Sequence, residues 1–487
     1  MRRAFSAVAA VAAGLTAACG GGVGVGPAST PTIGPCDTYL GPQYCSPVLC
    51  GNDYRNSCGT TPPGSEFCGD TPISEPCDGP DLGGNTCEAM GFASGTLRCL
   101  PKCDGFDTSG CGACLTTSTS VVRCGPPVPS MPVFPMAADI AATDTGVAMA
   151  WLVPTADDAG LADQLWLARL TPELDLVGAA RLDEPDVDAA RAAGAPGGRV
   201  AIAPLPSGWA VAGWTHAGNF LHAIDADGRN VGRLALPGGT ELGNSNGVRD
   251  VEPPLLAARP GGGPLMVWGV GAGVYRAAVV SDDGRSTTAP VDIAVPADAY
   301  YQLMSATFAG DVFYVVIMFD MGIRVARISA AGDLVAVDAA LSDITVFYPF
   351  FVDGADPPRI IYSAFTTAST PPDVVAPYLG SVLIAQDLGT GGAPPASPTY
   401  IRTGTDSYNV TSGVVFGGDT VLTVTGGDEF QVLSLARVDA GGVFVGDRVP
   451  VTRGVDINWS RVVRRGPDAV VAWFGFPAAM HIARVRP

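Results

Sequence analysis

A short strand motif recurs seven times in the last three-quarters of the 487-residue chain, and this repeat constrains the fold more than any other feature. Each copy places an Ala or Val, often followed by Arg, between flanking residues that are mostly apolar, and a Gly often follows four residues later. The copies are Leu167–Leu170, His222–Ile224, Ala278–Val280, Val325–Ile328, Ile384–Asp387, Leu435–Val438 and Ile482–Val485. They recur roughly every 52 residues, a period typical of architectures in which each copy buries an apolar face against the next.

Three further strand patterns accompany most copies of the motif. Apolar runs such as Val147–Val153 and Val312–Phe319 precede it, a shorter run lies before those, and runs such as Leu176–Leu182 follow it. The Gly and Asp-Gly pairs between the third and fourth strands suit tight hairpins. Four strands in each of seven copies predict an all-β fold, a seven-bladed β-propeller over residues 125–487. An open β-solenoid or two packed sandwiches are the alternatives.

The last repeat ends at Pro487, directly after its third strand. A closed ring needs that blade completed, because an unpaired strand edge promotes aggregation. The run Ser118–Arg123, just before the repeats, alternates apolar and polar residues. We therefore expect this N-terminal strand to complete the C-terminal blade, with Cys124 nearby as a covalent staple.

The N-terminus has the features of an export signal. Arg2 and Arg3 precede an uncharged apolar run, Ala4–Ala18, which is shorter than the ~20 residues that a membrane-spanning helix needs. The run ends in Leu15-Thr16-Ala17-Ala18-Cys19-Gly20, which resembles the lipobox of bacterial lipoproteins, although Thr16 stands where Leu is usual. The resemblance implies a signal peptide over residues 1–18 and a lipid on Cys19. A plain signal peptide with a chance Cys is the alternative.

Residues 19–35 are rich in Gly, Pro, Ser and Thr and carry no charge, which is typical of a flexible tether. A lipid-anchored chain of this kind would be exported and held at the cell envelope, at the outer membrane or cell surface. The formal net charge of −19 argues against nucleic acid and anionic lipid surfaces as partners, because both are bound by basic faces. It also favours a soluble monomer.

All cysteines other than Cys19 fall within residues 36–124. They are Cys36, Cys45, Cys50, Cys58, Cys68, Cys77, Cys87, Cys99, Cys103, Cys111, Cys114 and Cys124. An even number confined to one segment of an exported chain predicts a disulfide-rich module, and its pairing is left open. The spacings Cys99-x3-Cys103 and Cys111-x2-Cys114 also suit zinc, but the segment has no His and an oxidising compartment favours disulfides.

Residues 75–111 contain Cys77, Cys87, Cys99, Cys103 and Cys111 among Gly, Asp and Pro-rich turns. This segment resembles a Cys-rich segment that recurs in surface proteins of myxobacteria. The resemblance implies an extracellular structural or adhesive module.

The histidines and acidic turns are the first candidates for chemistry. His222 and His481 lie in the repeated strand, which favours a structural role, and His216 has no nucleophile motif beside it. Asp225-Ala-Asp227-Gly228 and Asp282-Asp283-Gly284 resemble pieces of a Ca²⁺ loop, yet both lie at the repeated hairpin turn, where turn chemistry explains them. We assign no catalytic, cofactor-binding or metal-binding residue and expect no cofactor.

The aromatic residues divide into two groups. Trp151, Trp214, Trp268 and Trp473 share the second strand of their repeats, where we expect blade-to-blade packing. A second group lies off that register, nearer strand ends and loops, and is available to stack on sugars or anchor a protein partner: Trp166, Trp209, Trp459, Tyr300, Tyr301 and Tyr348.

Three functions are consistent with this sequence. The first is a surface binding or scaffold protein that presents a propeller face to a glycan or protein. The second is an exported hydrolase or lyase with a site in the channel, where a pair of carboxylates is the expected machinery. The third is a purely structural envelope component.

Overall fold

The computed structural model describes parts of residues 77–124 and most of residues 137–486. In the second range, the described stretches are 137–157, 160–182, 200–215, 218–236, 242–243, 249–250, 254–271, 274–295, 301–319, 322–338, 346–365, 381–389, 395–401, 408–426, 432–453, 457–475 and 479–486. The signal peptide, Cys19 and the tether lie outside the described residues, as do seven of the cysteines predicted to form disulfides: Cys36, Cys45, Cys50, Cys58, Cys68, Cys103 and Cys114. No helix in the described stretches is long and apolar enough to span a membrane.

The described secondary structure consists of strands, which confirms the all-β class. Four short strands precede the repeats: β1 (Arg98–Cys99), β2 (Phe106–Asp107), β3 (Leu115–Thr116) and β4 (Val121–Cys124). The first two pair antiparallel, and two disulfides, Cys77–Cys99 and Cys87–Cys111, lie beside them. The sulfurs of this segment pack with Leu97 and Phe106 in a small core of their own. Bridges involving the other cysteines remain a prediction.

Four separate four-stranded antiparallel sheets follow along the chain. Their strands, with one small extra hairpin, are β5 (Ala137–Thr143), β6 (Gly146–Asp157), β7 (Gly160–Leu170), β8 (Leu176–Leu182); β9 (Ala201–Leu205), β10 (Gly208–Thr215), β11 (Gly218–Asp225), β12 (Asn230–Leu236); the hairpin β13 (Leu242–Gly243) and β14 (Arg249–Asp250); β15 (Leu255–Arg259), β16 (Gly262–Gly271), β17 (Val274–Val279), β18 (Val291–Ala294); and β19 (Tyr301–Ala309), β20 (Val312–Phe319), β21 (Gly322–Ser329), β22 (Leu334–Val337).

The remaining strands form one eight-stranded and one five-stranded sheet. They are β23 (Val346–Asp353), β24 (Arg359–Phe365), β25 (Ser381–Asp387), β26 (Thr399–Ile401), β27 (Tyr408–Phe416), β28 (Asp419–Gly426), β29 (Val432–Val438), β30 (Val449–Arg453), β31 (Ile457–Arg465), β32 (Asp468–Gly475) and β33 (Ala479–Val485). Among the described residues, five sheets thus have the size of one propeller blade.

The prediction of seven separate blades is therefore wrong as a count of sheets. The physical reason is a short parallel pairing between β23 and β27, in which Val352 lies opposite Gly413 and Asp353 opposite Val414. These few hydrogen bonds join the meander β23–β26 to the meander β27–β30, edge to edge. A side chain at Gly413 would collide with Leu422, its partner on the neighbouring strand β28.

The first strands of successive meanders lie side by side around a centre. In chain order β5, β9, β15, β19, β23, β27 and β31 each contact the next, and β31 contacts β5. The blades therefore form a ring, as a propeller requires.

The ring closes where the sequence predicts. β4 pairs antiparallel with β33, with Val121 opposite Val485 and Cys124 opposite Ile482. β3 pairs in turn with β4, so residues 115–124 belong to the five-stranded sheet β3-β4-β33-β32-β31. An N-terminal strand thus covers the edge that the last repeat leaves open.

Each middle strand is apolar on both faces because blades pack on both of its sides. In β20, Val315, Val316 and Ile317 are all fully buried although their side chains alternate between faces. The second-strand tryptophans Trp151 and Trp268 are also fully buried.

A recurring turn joins the third and fourth strands of the separate blades; we call it the capped turn. Its first residue is Thr171, Asp225, Ser281, Ser329 or Asp439, and in each case a side-chain oxygen accepts a backbone N–H four or five residues later. A residue with positive φ stands three positions after the first, at Leu174, Gly228, Gly284, Gly332 or Gly442. Local side-chain hydrogen bonds of this kind favour turns over continued strands. The Gly that the sequence repeat contains is thus a turn residue.

Gly284 is needed for a second reason, because the capped turn abuts the preceding blade. A methyl group at Gly284 would lie 2.7 Å from the Cβ of Ala223 and 2.9 Å from Leu205. Gly261 also has positive φ, but a methyl group added there would find no atom of another part of the chain within 4 Å.

We therefore expect Gly284→Ala to destabilise the protein by about 2–3 kcal/mol and Gly261→Ala by about 1 kcal/mol. Both variants carry the cost of positive φ, and only the first adds a collision between blades. Urea denaturation measures the free energy of unfolding of each variant. Equal losses of that free energy in the two variants would contradict the packing argument.

Candidate functional site

A layer of side chains on the first strands links neighbouring blades near the centre of the ring. In every first strand one residue stands four positions before the last residue of the strand. These residues are Asp139, Ala201, Leu255, Ser305, Pro349, Ser412 and Arg461. We call them the central layer; its four polar members each bond to the next first strand.

Asp139 joins three blades. Its Oδ2 accepts a hydrogen bond from the backbone N–H of Ile202 at 3.0 Å, and its Oδ1 accepts from Ile140 at 2.8 Å. The guanidinium of Arg461 also donates to Oδ1. Burial raises the pKa of Asp139 above its ordinary value of 3.8, and Arg461 and the two N–H groups oppose that shift. Arg461 keeps 43% of its side chain exposed, so it also faces solvent.

Hydroxyl groups continue the central layer between β27 and β31. Ser412 accepts from the backbone N–H of Val462 at 2.9 Å and lies 2.9 Å from the hydroxyl of Thr423. Thr411 is exposed, and its hydroxyl lies 2.7 Å from that of Ser460. On another blade, Ser305 accepts from the N–H of Phe351 at 3.1 Å.

β-Bulges mark the same half of the ring. The register shifts just before the central layer in β19, β23, β27 and β31, whereas β5 and β9 pair regularly. Bulges re-aim side chains and are over-represented next to functional sites. The bulged half of the ring is therefore where a ligand site is expected.

Tyr348 stands out within this half. It lies in the bulge of β23, directly before the central-layer residue Pro349, and has a positive φ of 49°. Its side chain is 68% exposed, the largest exposure of any large apolar or aromatic residue among those described. A positive φ is costly for a residue with a bulky side chain, and such strain clusters at binding and catalytic sites.

Asp353, at the end of β23, adds a second carboxyl group to the electrostatic surroundings of Arg461. The residue keeps an exposed surface, but protein atoms surround it closely and this lost solvation raises its pKa. The charges of Arg461 and Arg464 and the backbone N–H of Gly354 oppose the shift. The charge of Arg461 therefore opposes the raised pKa of two carboxyl groups, Asp139 and Asp353, that belong to two other blades.

The two described histidines, His222 and His481, are structural. His222 is fully buried, its Nδ1 lies 2.7 Å from the side-chain amide of Asn230, and its ring packs edge-on against Phe220. His481 is buried and stacks on Trp473 at 5.2 Å between ring centroids. His216 lies outside the described residues.

The acidic turns do not gather into a metal site among the described residues. Asp225 caps its turn and Asp227 pairs with Arg229. Asp283 accepts from the hydroxyl of Ser281 at 2.6 Å, and Asp282 from the N–H of Gly263 at 2.9 Å. Turn formation accounts for all four carboxylates.

The aromatic predictions have mixed outcomes. Trp473, like Trp151 and Trp268, is fully buried as expected, while the side chain of Trp214 lies outside the described residues.

The expectation that Trp209 lies near a strand end or loop and is available to a ligand is wrong. Trp209 is 7% exposed and packs in the core between two blades, because β10 is a middle strand. Two further off-register residues are partly buried: Trp166 stacks on Trp151, and Trp459 packs against the core beside β5. Tyr300 and the side chain of Tyr301 lie outside the described residues, which leaves Tyr348 as the exposed member of the group.

Sequence reasoning missed the central layer. One signal was present: Asp139 interrupts an otherwise apolar strand, Ala137–Thr143, and a carboxylate there requires a partner. Its partner Arg461 is 322 residues away, and no local pattern connects the two.

The comparisons with known proteins find fold likeness only. No protein-family model matches the chain, and no curated protein matches it. Among solved structures, a propeller domain of Cps50 (Swd1) from Myceliophthora thermophila is 10% identical, with a TM-score of 0.42 over 72% of this chain and 99% of that one. A polysaccharide lyase, an ulvan lyase of family PL25, is 11% identical with a TM-score of 0.48 over 74% of this chain and 95% of that one. A prolyl endopeptidase is 14% identical with a TM-score of 0.42 over 72% of this chain and 47% of that one.

We expect Arg461→Ala to destabilise the protein by about 2 kcal/mol at neutral pH, because it leaves the buried Asp139 without its opposite charge. The exposed half of Arg461 keeps this cost below that of a fully buried pair. Arg229→Ala, which breaks the exposed pair with Asp227, should cost less than about 1 kcal/mol.

Urea denaturation at several pH values measures both losses. The Arg461→Ala deficit should shrink as the pH falls through the raised pKa of Asp139, because a protonated carboxyl needs no counter-charge. A deficit no larger than that of Arg229→Ala would contradict the role given to this pair.

Proposed function

We propose that this chain is a lipid-anchored protein of the bacterial cell envelope that binds a glycan at the centre of a seven-bladed propeller. The observation that carries the binding proposal is Tyr348, an exposed aromatic side chain held at positive φ beside the central layer. Sugar rings stack on aromatic faces, and their hydroxyls bond to side chains such as Arg461 and Thr411.

The number of blades, seven, is part of this proposal. The eight-stranded sheet counts as two blades, because only four residues form the parallel link between its halves. Each half is an antiparallel meander with its own first strand in the ring. The seven first strands around the centre support this assignment.

The lipid anchor and the propeller ring would be connected through the disulfide-rich module. The lipobox-like sequence at Cys19 supports lipidation, and the tether of residues 19–35 would lift the disulfide-rich module from the membrane. That module leads directly into β4, the strand that completes the last blade. The propeller would therefore be attached to the envelope through the strand that closes its ring.

A glycan array with the full chain tests the binding proposal. We expect a defined class of envelope or environmental polysaccharide to bind, and Tyr348→Ala to weaken that binding about ten-fold through loss of stacking. Val177→Ala, which shortens an exposed side chain on the outer strand β8, is the matched control and should bind normally. A blank array, or equal binding by Tyr348→Ala, would reject the glycan site and leave a protein ligand or a purely structural role.

Labelling with a radioactive or clickable fatty acid tests the anchor separately. The wild-type chain should incorporate the label and fractionate with membranes, and Cys19→Ser should do neither. Incorporation that survives Cys19→Ser would refute the assignment of Cys19.

A second candidate function, glycan cleavage by an exported hydrolase or lyase, is favoured by two carboxyl groups with raised pKa values, Asp139 and Asp353, whose surroundings include the charge of Arg461. A carboxyl group with a raised pKa is suited to donate a proton to a leaving oxygen, and Asp353 is the accessible one of the pair. Any cleavage should fall as the pH rises through the pKa of Asp353, because the acid form is then lost.

Incubation of the bound polysaccharide with the wild-type chain and with Asp353→Asn tests this candidate. Loss of cleavage in the variant, with binding retained, would support it. Chains of unchanged length after incubation with wild type at acidic and neutral pH would reject it.

A further inference from the structure

The capped turns dock blade against blade through one repeated contact. The second residue of each turn offers its backbone carbonyl to a donor from the preceding blade. Arg465 donates to Pro172 at 2.6 Å, Arg259 to Ala330 at 2.9 Å, and Arg169 to Ala226. At a fourth turn, the hydroxyl of Ser207 reaches the carbonyl of Asp282 at 3.4 Å. A guanidinium therefore fills this position at three interfaces.

The fifth capped turn departs from the pattern. Its second residue is Ala440, which is exposed, and no donor among the described residues reaches its carbonyl. The nearest arginine of the preceding meander, Arg359, is committed elsewhere. Its Nε and Nη2 bind Asp387 at 2.6 and 3.1 Å, and its Nη1 donates to Thr420 at 3.0 Å.

A cavity occupies the position that a guanidinium fills elsewhere. It lies between the meanders β23–β26 and β27–β30, has a volume of about 60 Å³ and is partly open to solvent. Ala440, Asp439 and Thr399 line it, together with the Arg359–Asp387 pair. This space is a few times what one water molecule needs, which suits a small polar head group such as a guanidinium.

Asp439 supplies a charge that suits the same ligand. Its Oδ1 accepts the N–H groups of Gly441 and Val443, each at 2.9 Å, and caps the turn. Among the described residues no donor reaches its Oδ2. A carboxylate oxygen and a neighbouring carbonyl that no described donor reaches match the fork of N–H donors on a guanidinium.

The geometry points to a binding site for an external guanidinium group, the side chain of an arginine, in the cavity beside Ala440 and Asp439. The ligand replaces the arginine that this interface lacks and bridges the two meanders as Arg169, Arg259 and Arg465 bridge other blades. Its source is either free arginine or an arginine of a partner protein. This site is separate from the centre of the ring and does not depend on the glycan proposal.

Backbone amide chemical shifts of Ala440 and Gly442 in the full, isotope-labelled chain follow the binding. Nα-acetylarginine amide should shift these amides saturably, and the uncharged citrulline analogue should not. Nα-acetyllysine amide distinguishes a guanidinium site, where it binds more weakly, from a general cation site. Comparison of free L-arginine with the peptide Gly-Arg-Gly distinguishes the two sources, because a site for a protein-borne arginine binds the peptide at least as well.

Asp439→Asn keeps the capping oxygen and removes the charge, so we expect it to weaken arginine binding about ten-fold. Asp225→Asn makes the same change in the capped turn whose carbonyl already binds Arg169, and it should leave the affinity unchanged. Equal shifts with arginine and citrulline, no saturation, or equal weakening by the two variants would overturn the proposal. The wild-type comparison of arginine with citrulline stands even if a variant fails to fold.

Discussion

The pairing of β4 with β33 is the contact on which the rest of the ring depends. Each blade buries its apolar faces against two neighbours, so one open edge would leave two faces and a row of backbone groups unsatisfied. The antiparallel pairs from Val121–Val485 to Cys124–Ile482 join strands from opposite ends of the described chain. The chain thus passes directly from the disulfide-rich segment into the strands that complete the last blade.

Two sets of polar contacts then fix the position of each blade relative to the next. Near the centre, Asp139, Ser305, Ser412 and Arg461 bond from one first strand to the following one. Farther out, capped turns accept donors from the preceding blade. Apolar packing alone leaves neighbouring sheets free to slide, whereas directional hydrogen bonds hold them in register. Both sets of contacts are incomplete at the interface between the meanders β23–β26 and β27–β30, because Pro349 has no polar side-chain group and no described donor reaches the carbonyl of Ala440. The parallel pairing also joins these meanders, and the proposed ligand sites lie in or beside them.

The sequence predicts what a local pattern can encode. The repeated strand motif and its Gly were enough to predict the strand order, the buried tryptophans and the strand missing from the last blade. Each of these features is determined within a single blade. Contacts between blades were not predictable: Asp139 and Arg461 are far apart in sequence, and the link at Val352–Asp353 joins residues about 60 positions away in another meander. Trp209 was misassigned because its place in a middle strand becomes evident only from the pairing of β10 with β9 and β11.

Hydrogen exchange at β33 tests the closed ring most directly. In the full chain, the amides of residues 482–485 that face β4 should exchange as slowly as those of the central strand β32. In a chain that begins at residue 125, the same amides should exchange orders of magnitude faster, because no strand covers that edge. Equal protection in the two chains would contradict closure by the N-terminal strand.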